Sequence, residues 1–250
     1  MLSSMNFLCG PSPITIHSQE LFSINFMLFR IKSTRLTDVK FEQLTTLNFL
    51  SFRDVGFLLL AGGQSRRMGG GDKNQLHLGG KSVLQHVLDR VDRAGAPTAI
   101  NANGDPQRFA SYGLPVIADV VDGYAGPLAG ILTGLEWLMA HHPKRTHLIS
   151  LATDAPFLPP DLAQRLYDRL DSDTAIVQAQ SHGQRHPVFA IWPVLLAADL
   201  RQAVCEEGVR KIDHFTQRHD CGIVDFLGTP DPFLNINRPE DFAEAERWLK

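Results

Sequence analysis

No apolar run in this 250-residue chain reaches the roughly 18 residues that a membrane-spanning helix needs, which excludes such a segment. A surplus of positive charge is also missing. With 24 Lys and Arg against 27 Asp and Glu, the net charge of −3 leaves no electrostatic footprint for nucleic acid. Cysteine is scarce: Cys9, Cys205 and Cys221 form no C-x-x-C pair. An odd, sparse set points to free thiols in a reducing compartment rather than a disulfide framework or a zinc site. Disorder is excluded by the opposite measure, since 44% of the residues are apolar and the charges nearly balance.

Alanine is absent from residues 1–55, while residues 56–250 hold 21. The first 55 residues carry 7 of the 15 Phe, and five Lys or Arg against four Asp or Glu. This break predicts two parts, an N-terminal extension over 1–55 and one domain over 56–250, a usual size for a single core. A signal peptide does not explain the extension. Its apolar stretch, Leu21–Phe29, starts late, and Arg30 is the first basic residue. Glu20, Asp38, Glu42 and Asp54 argue against a mitochondrial transit peptide, which is poor in acids. What remains is a poorly ordered extension, with translation from upstream of the natural start as one origin for it.

Within the domain, short apolar runs alternate with amphipathic helices. Strands are expected at Phe57–Ala61, Thr98–Ala102, Val116–Ala118, His147–Ala152, Ala175–Ala179 and Val188–Trp192, and near Ile223–Phe226 and Phe233–Ile236. A capping box at Ser82–Gln85 opens a helix whose Val83, Leu84, Val87, Leu88 and Val91 share one face, and Gly95 is expected to end it. Further helices are expected at Leu128–His141, Asp161–Leu170 and Pro239–Leu249, with two more between Trp192 and Ile223. Such alternation predicts an α/β domain of three layers around a mostly parallel sheet.

The densest chemical signal runs from Leu60 to Lys73, where a strand gives way to a loop with five glycines, two arginines and one lysine. Glycines let backbone N–H groups approach phosphate oxygens, and Arg66, Arg67 and Lys73 can neutralise a triphosphate. The carboxyl end of a first strand is also where open α/β sheets bind ligands. Two familiar nucleotide motifs fail. Gly80-Lys81-Ser82 imitates the end of a Walker A loop, but Gln75 stands where its first glycine is required, and no G-x-G-x-x-G follows the first strand. The Gly79-Gly80 pair instead predicts a turn before the capped helix. A second signal is Asp154 in Leu151–Pro156, at the end of an apolar strand. Its carboxylate faces the same crevice and suits a Mg²⁺ ion that also holds phosphates, although an aspartate there is also an ordinary turn cap.

Taken together, Leu60–Lys73, Asn101-Ala-Asn103, Val116-Ile-Ala-Asp119, Gly126–Gly130, Thr153–Pro156 and Asn235-Ile-Asn237 resemble the ordered motifs of the molybdenum cofactor guanylyltransferases. The likeness runs from about Phe57 to the C-terminus. It implies a Rossmann-like domain of the nucleotide-diphospho-sugar transferase type, located in the cytoplasm, that transfers GMP from GTP to the terminal phosphate of molybdopterin with Mg²⁺ as cofactor. On that resemblance Leu60, Ala61, Gly62 and Gly63 line the guanine nucleotide site. Lys73 contacts its phosphates, with Arg66 or Arg67 on the pyrophosphate. Asn101 and Asp119 match GTP-binding positions, Asp154 matches the magnesium ligand, and Asn235 and Asn237 match the pterin side. Cofactor-donating proteins and molybdoenzymes are the implied partners. Ala125 departs from the family's usual proline in Tyr124–Gly130, and the extension lies outside the family pattern. A cytidylyl- or sugar-phosphate nucleotidyltransferase, or a GTP-binding cofactor chaperone without turnover, are the alternative readings.

Other side chains carry less. His182, Arg185 and His186 suit either an anionic pterin phosphate or a solvated hairpin. His141 and His142 suit a helix end, where cations are favoured. His214, His219, Cys205 and Cys221 lack zinc spacing, and Trp137 and Trp248 are expected to pack in the core.

Overall fold

A computed structural model describes residues 54–62, 77–91, 93, 95–121, 123, 126–173 and 175–249 of the protein. The expected N-terminal extension, apart from its last two residues, and Gly63, Arg66, Arg67 and Lys73 of the glycine loop lie outside the described residues. So do Tyr124 and Ala125.

The first strand, β1 (Val55–Leu60), is apolar at every position and buried on both faces. Val55, Phe57 and Leu59 enter one core cluster, while Leu58 enters another on the opposite face. This two-sided burial is what a continuous apolar run at the centre of a covered sheet produces. A small hairpin follows, formed by β2 (His77–Leu78) and β3 (Lys81–Ser82). Its turn residues Gly79 and Gly80 both have positive φ, 58° and 87°, as a two-residue hairpin turn requires. Helix α1 (Val83–Arg90) then starts at Ser82, whose side chain accepts a hydrogen bond from the Gln85 backbone at 3.1 Å. Only this half of the expected capping box forms, because the Gln85 amide turns to Asp89 instead. The helix ends at Arg90 rather than at Gly95, since Val91 is already extended and Gly95 lies in a later turn.

Strand β4 (Thr98–Asn101), a 3₁₀ helix (Pro106–Tyr112) and β5 (Val116–Ile117) lead to α2 (Pro127–His141). Strand β6 (His147–Ala152), α3 (Leu162–Asp168), β7 (Ile176–Ser181) and β8 (Gln184–Pro193) follow. The domain finishes with α4 (Ala197–Cys205), α5 (Ile212–Thr216), β9 (Cys221–Asp225) and α6 (Pro239–Trp248).

Seven strands form the main sheet in the order β5-β4-β1-β6-β8-β7-β9. Four of its six pairings are parallel; β8 is the exception, antiparallel to both β6 and β7. One face is covered by α1, α3, Phe226 and Phe233, and the other by α2, α4 and α5, so the three-layer α/β expectation holds. The segment Phe233–Ile236 does not join the sheet. Its backbone is used elsewhere: Phe233 N–H bonds the Asp231 carboxylate, and Ile236 N–H bonds the Asp154 carbonyl at 2.8 Å. Trp137 is half-buried as expected, whereas Trp248, in the last turn of α6, is 46% exposed.

Helix α2 lies across β1 at unusually short range, and glycine makes this possible. A Cβ on Gly130 would stand 2.5 Å from Leu60 Cδ2, one on Gly134 2.7 Å from Leu58 Cδ2, and one on Gly56 2.5 Å from Leu138 Cδ2. The helix positions rise as the strand positions fall, so α2 runs antiparallel to β1. Its N-terminus is thereby placed at the strand's carboxyl end.

Candidate active site

Register places the candidate residues in a row. Ile117 pairs with Asn101, Asn101 with Leu60, and Leu60 with Ala152, across four parallel strands. One or two residues further along each strand lie Asp119, Asn103, Ala61 with Gly62, and Asp154. These therefore share one carboxyl edge. The chain passes from β1 to β4 and β5 on one side and to β6 on the other. The row thus spans the point where strand order reverses, the usual ligand crevice of an open α/β sheet. The N-terminus of α2 adds the positive end of a helix dipole beside the same edge, with Gly126 as N-cap.

Asn101 and Asp119 are bonded to each other. Asn101 is 3% exposed, and its amide donates to Asp119 Oδ1 at 2.9 Å and to the Ile117 carbonyl at 3.2 Å. Both amide protons are then used, and Oδ1 has no hydrogen-bond partner among the described residues. Asn101 therefore acts chiefly by holding Asp119. Asn103 completes the support. Its amide donates to Asp119 Oδ2 at 2.8 Å, and its own oxygen accepts from the Asp119 backbone at 2.9 Å. Arg108 donates to the Asn103 carbonyl at 2.7 Å. The half-buried Asp119 carboxylate keeps its remaining lone pairs for donors in the crevice. The next residue is anchored as well, because Val120 N–H donates to Thr133 Oγ1 of α2 at 2.9 Å.

On the other side of β1, Thr153 Oγ1 donates to the Leu60 carbonyl at 3.2 Å, tying the ends of β1 and β6. Asp154 follows, half-buried, with its carbonyl bonded to Ile236 N–H. The segment bearing Asn235 and Asn237 is thus fastened directly to the candidate metal ligand. Asn235 is exposed, Ile236 is buried against Leu78, Val83, Phe157 and Ala245, and Asn237 is half-buried. Asp241 Oδ2 accepts from Asn237 N–H at 2.8 Å and from Arg238 N–H at 2.9 Å, fixing the far end of the segment.

Among the described residues, no cluster of three or more His, Cys, Asp or Glu is placed to hold a metal. The Asp154 carboxylate is a hard oxygen donor of the kind that divalent cations such as Mg²⁺ or Mn²⁺ take.

The structure brings Leu60, Ala61, Gly62, Asn101, Asp119 and Asp154 to one sheet edge, with Asn235 and Asn237 on a segment bonded to Asp154. Gly63, Arg66, Arg67 and Lys73 lie outside the described residues. Thr133 and Thr153 were missed as supports. Asn103 was visible in the Asn-Ala-Asn repeat, whose alternate residues lie on one side of a strand end.

The remaining candidates fall on a hairpin, at a helix end or at free thiols. His182 and Arg185 are exposed on the β7–β8 hairpin, where His182 and Gly183 take φ of 48° and 77° in the turn. His141 contacts the Trp137 carbonyl at 3.1 Å, and the His142 ring lies 4.8 Å from the Trp137 ring. Cys205 and Cys221 are free thiols, and burial pushes the Cys221 thiol pKa up. No helix among the described residues is long and apolar enough to cross a membrane.

Comparison with known proteins bears on the family and the fold. The model of the MobA-like NTP transferase domain matches residues 57–221. A molybdenum cofactor guanylyltransferase of Rhodopseudomonas palustris (strain BisB5) is 52% identical over 192 residues, covering 76% of this chain and 91% of that protein. Another, from Mesorhizobium japonicum, is 48% identical over 203 residues, covering 79% and 97%. Among solved structures, the molybdopterin-guanine dinucleotide biosynthesis protein A of Archaeoglobus fulgidus superposes with a TM-score of 0.62 at 24% identity, covering 78% and 98%. The 4-diphosphocytidyl-2C-methyl-D-erythritol synthase of Anaerococcus prevotii superposes at 0.61 and 14% identity, covering 79% and 96%, a likeness of fold. A third, from Mycobacterium tuberculosis H37Rv, is a complex with manganese and superposes at 0.57 and 20% identity, covering 78% and 98%. Identity near one half over nine-tenths or more of a relative's length goes well beyond a shared fold, and the chain belongs to the molybdenum cofactor guanylyltransferase family.

Proposed function

We propose that the protein transfers GMP from GTP to the terminal phosphate of molybdopterin, forming molybdopterin guanine dinucleotide and releasing pyrophosphate. The observation that supports this most is the row across β5, β4, β1 and β6, which sets Asp119, Ala61 with Gly62, and Asp154 along one crevice. In this reading Leu60–Gly63 line the nucleotide, and Asp119, held by Asn101 and Asn103, receives donors from base or ribose. Lys73 and one of Arg66 and Arg67 neutralise the phosphates. Asn235 and Asn237 meet the acceptor.

The acceptor phosphate is already an anion, so its attack on the α-phosphorus needs no strong general base. The barrier lies in charge crowding and in-line alignment. Lys73 and the arginine offset charge on the leaving pyrophosphate. The bond between Ile236 and Asp154 fixes the spacing between acceptor and nucleotide sides. Asp154 would hold Mg²⁺, which supplies charge neutralisation on the transferring and leaving oxygens. Residues 56–250 carry the activity and residues 1–55 form an extension to it. The setting is the cytoplasm, with cofactor-donating proteins and molybdoenzymes as partners.

Competition between nucleotides tests the assignment. The protein, incubated with molybdopterin, Mg²⁺ and equal GTP and CTP, is expected to yield the guanine dinucleotide almost alone. Equal or greater cytosine product would replace the guanylyl reading with the cytidylyl one.

A further inference from the structure

A chain of hydrogen bonds joins the β7–β8 hairpin to the segment that follows Asp231. Ser181 Oγ and His186 Nε2 are 2.8 Å apart, and Ser181 Oγ donates to Asp231 Oδ1 at 2.8 Å. The same Asp231 oxygen accepts from Phe233 N–H at 2.9 Å. Phe233 in turn stacks on the His186 ring at 4.5 Å and packs against Phe189 and Phe226 at 4.9 and 5.6 Å.

The order of the bonds settles the proton positions. A carboxylate only accepts, so the single Ser181 proton goes to Asp231. His186 Nε2 must then carry a proton and donate to Ser181 Oγ. Burial holds the imidazole pKa below the ordinary histidine range, against the opposing pull of the Asp231 carboxylate. The ring is therefore neutral near pH 7, as the Nε2–H tautomer. This is not a nucleophilic triad. There the histidine stands between serine and aspartate, whereas here the serine stands in the middle, fully buried, with its proton directed at the Asp231 carboxylate and no imidazole lone pair facing it.

The segment leaving this chain is short. Two residues beyond Phe233 is the exposed Asn235, and Ile236 N–H is bonded to the carbonyl of Asp154. Rotation of the Asp231 carboxylate would carry Phe233, and with it Asn235, relative to Asp154. We propose that His186 and Ser181 are positioning residues for the acceptor, holding the Asp231–Asn237 segment at its working distance from Asp154. The inference rests on the reading that Asn235 and Asn237 meet molybdopterin.

The test uses the full-length protein with molybdopterin, GTP and Mg²⁺, and separates KM for the two substrates. Ser181→Ala and His186→Phe, the second keeping the ring stack without the donor, are expected to raise the molybdopterin KM about 5- to 30-fold. That is the range spanned by one buried hydrogen bond. The GTP KM and kcat should stay within about two-fold of the parent. His186→Gln, whose amide offers a donor near the Nε2 position, should recover most of the loss. Rescue by Phe but not Gln, or both KM values rising together, would reduce the chain to a packing element and overturn the proposal. Asn235→Ala separates the two readings. If it raises the molybdopterin KM while Ser181→Ala and His186→Phe do not, positioning fails and the acceptor reading stands. If it leaves that KM unchanged, both fail. An independent check is the ¹⁵N NMR spectrum of the intact protein, which should show His186 neutral and protonated on Nε2. Protonation on Nδ1 would contradict the chain.

Discussion

Gly130→Ala adds one methyl group where α2 crosses the carboxyl ends of β1 and β4, and its consequences follow from the packing. The new Cβ would stand 2.4 Å from Asn101 Oδ1 and 2.5 Å from Leu60 Cδ2, where ordinary contact begins at 3.4 Å. Relief therefore needs a movement of roughly 1 Å by helix or asparagine. Overpacking of this kind costs about 1–3 kcal/mol, and alanine returns about 1 kcal/mol through helix propensity. The expected net change is a destabilisation between about 0 and 2 kcal/mol. Activity should suffer more than stability. Both Asn101 amide protons are committed, to Asp119 Oδ1 and the Ile117 carbonyl, so moving the side chain breaks the support of Asp119. A hydrogen bond to a charged group is worth about 1.5–3 kcal/mol, so the GTP KM should rise about 10- to 150-fold. Gly134→Ala is the control. The three atoms nearest its Cβ would be methyl carbons of Leu58 and Leu148, from 2.7 Å, with the same propensity gain. Urea unfolding and initial rates against GTP should show both variants folded and only Gly130→Ala with a raised GTP KM. Equal KM values in the two variants would refute the view that this glycine protects the Asn101–Asp119 pair.

Asp154→Asn and Lys73→Ala should each lower kcat/KM by about 10²–10³, and raising Mg²⁺ should shrink the first loss but not the second. Near-normal turnover of Asp154→Asn at low Mg²⁺ would place the metal on other ligands. A truncated chain starting near Asp54 should keep its fold and activity, and loss of soluble protein would show that residues 1–53 are needed. Burial holds the His147 and His186 pKa values below the ordinary 6.5, so the unfolded chain takes up protons first as pH falls. Stability should therefore decline from pH 7 through 6.5 toward the depressed native values. His147→Leu, which removes an imidazole whose buried Nε2 has no hydrogen-bond partner among the described residues, should make the decline shallower. An unchanged slope would exclude His147 as a source.

Much of the architecture was legible because β1 is apolar throughout, because β4 and β6 send apolar residues to both faces of the sheet, and because α1 repeats its apolar residues at helical spacing. Phe233–Ile236 was misread for a physical reason. Its composition suits a strand, but its N–H groups bond Asp231 and Asp154, and no neighbouring strand pairs with it. Gly95 has the conformation of a helix terminator, yet the chain had already become extended at Val91. In the site, Asn101 and Asp119 were each recognisable, but their bond depends on the register between β4 and β5. Gly130 carries no chemical group, and its importance appears only when the helix is set against Asn101. Ser181, His186 and Asp231 are separated by up to 50 positions, so no local pattern announces their contact.

The most direct test follows the phosphorus atoms. GTP labelled at either the α- or the γ-phosphate is incubated with the protein, Mg²⁺ and molybdopterin, and the pterin fraction is separated. Guanylyl transfer predicts that α-label enters the pterin product in step with pyrophosphate release, while γ-label is found only in pyrophosphate. Release of γ-label as orthophosphate with no label on the pterin, or γ-label on the pterin, would contradict the account.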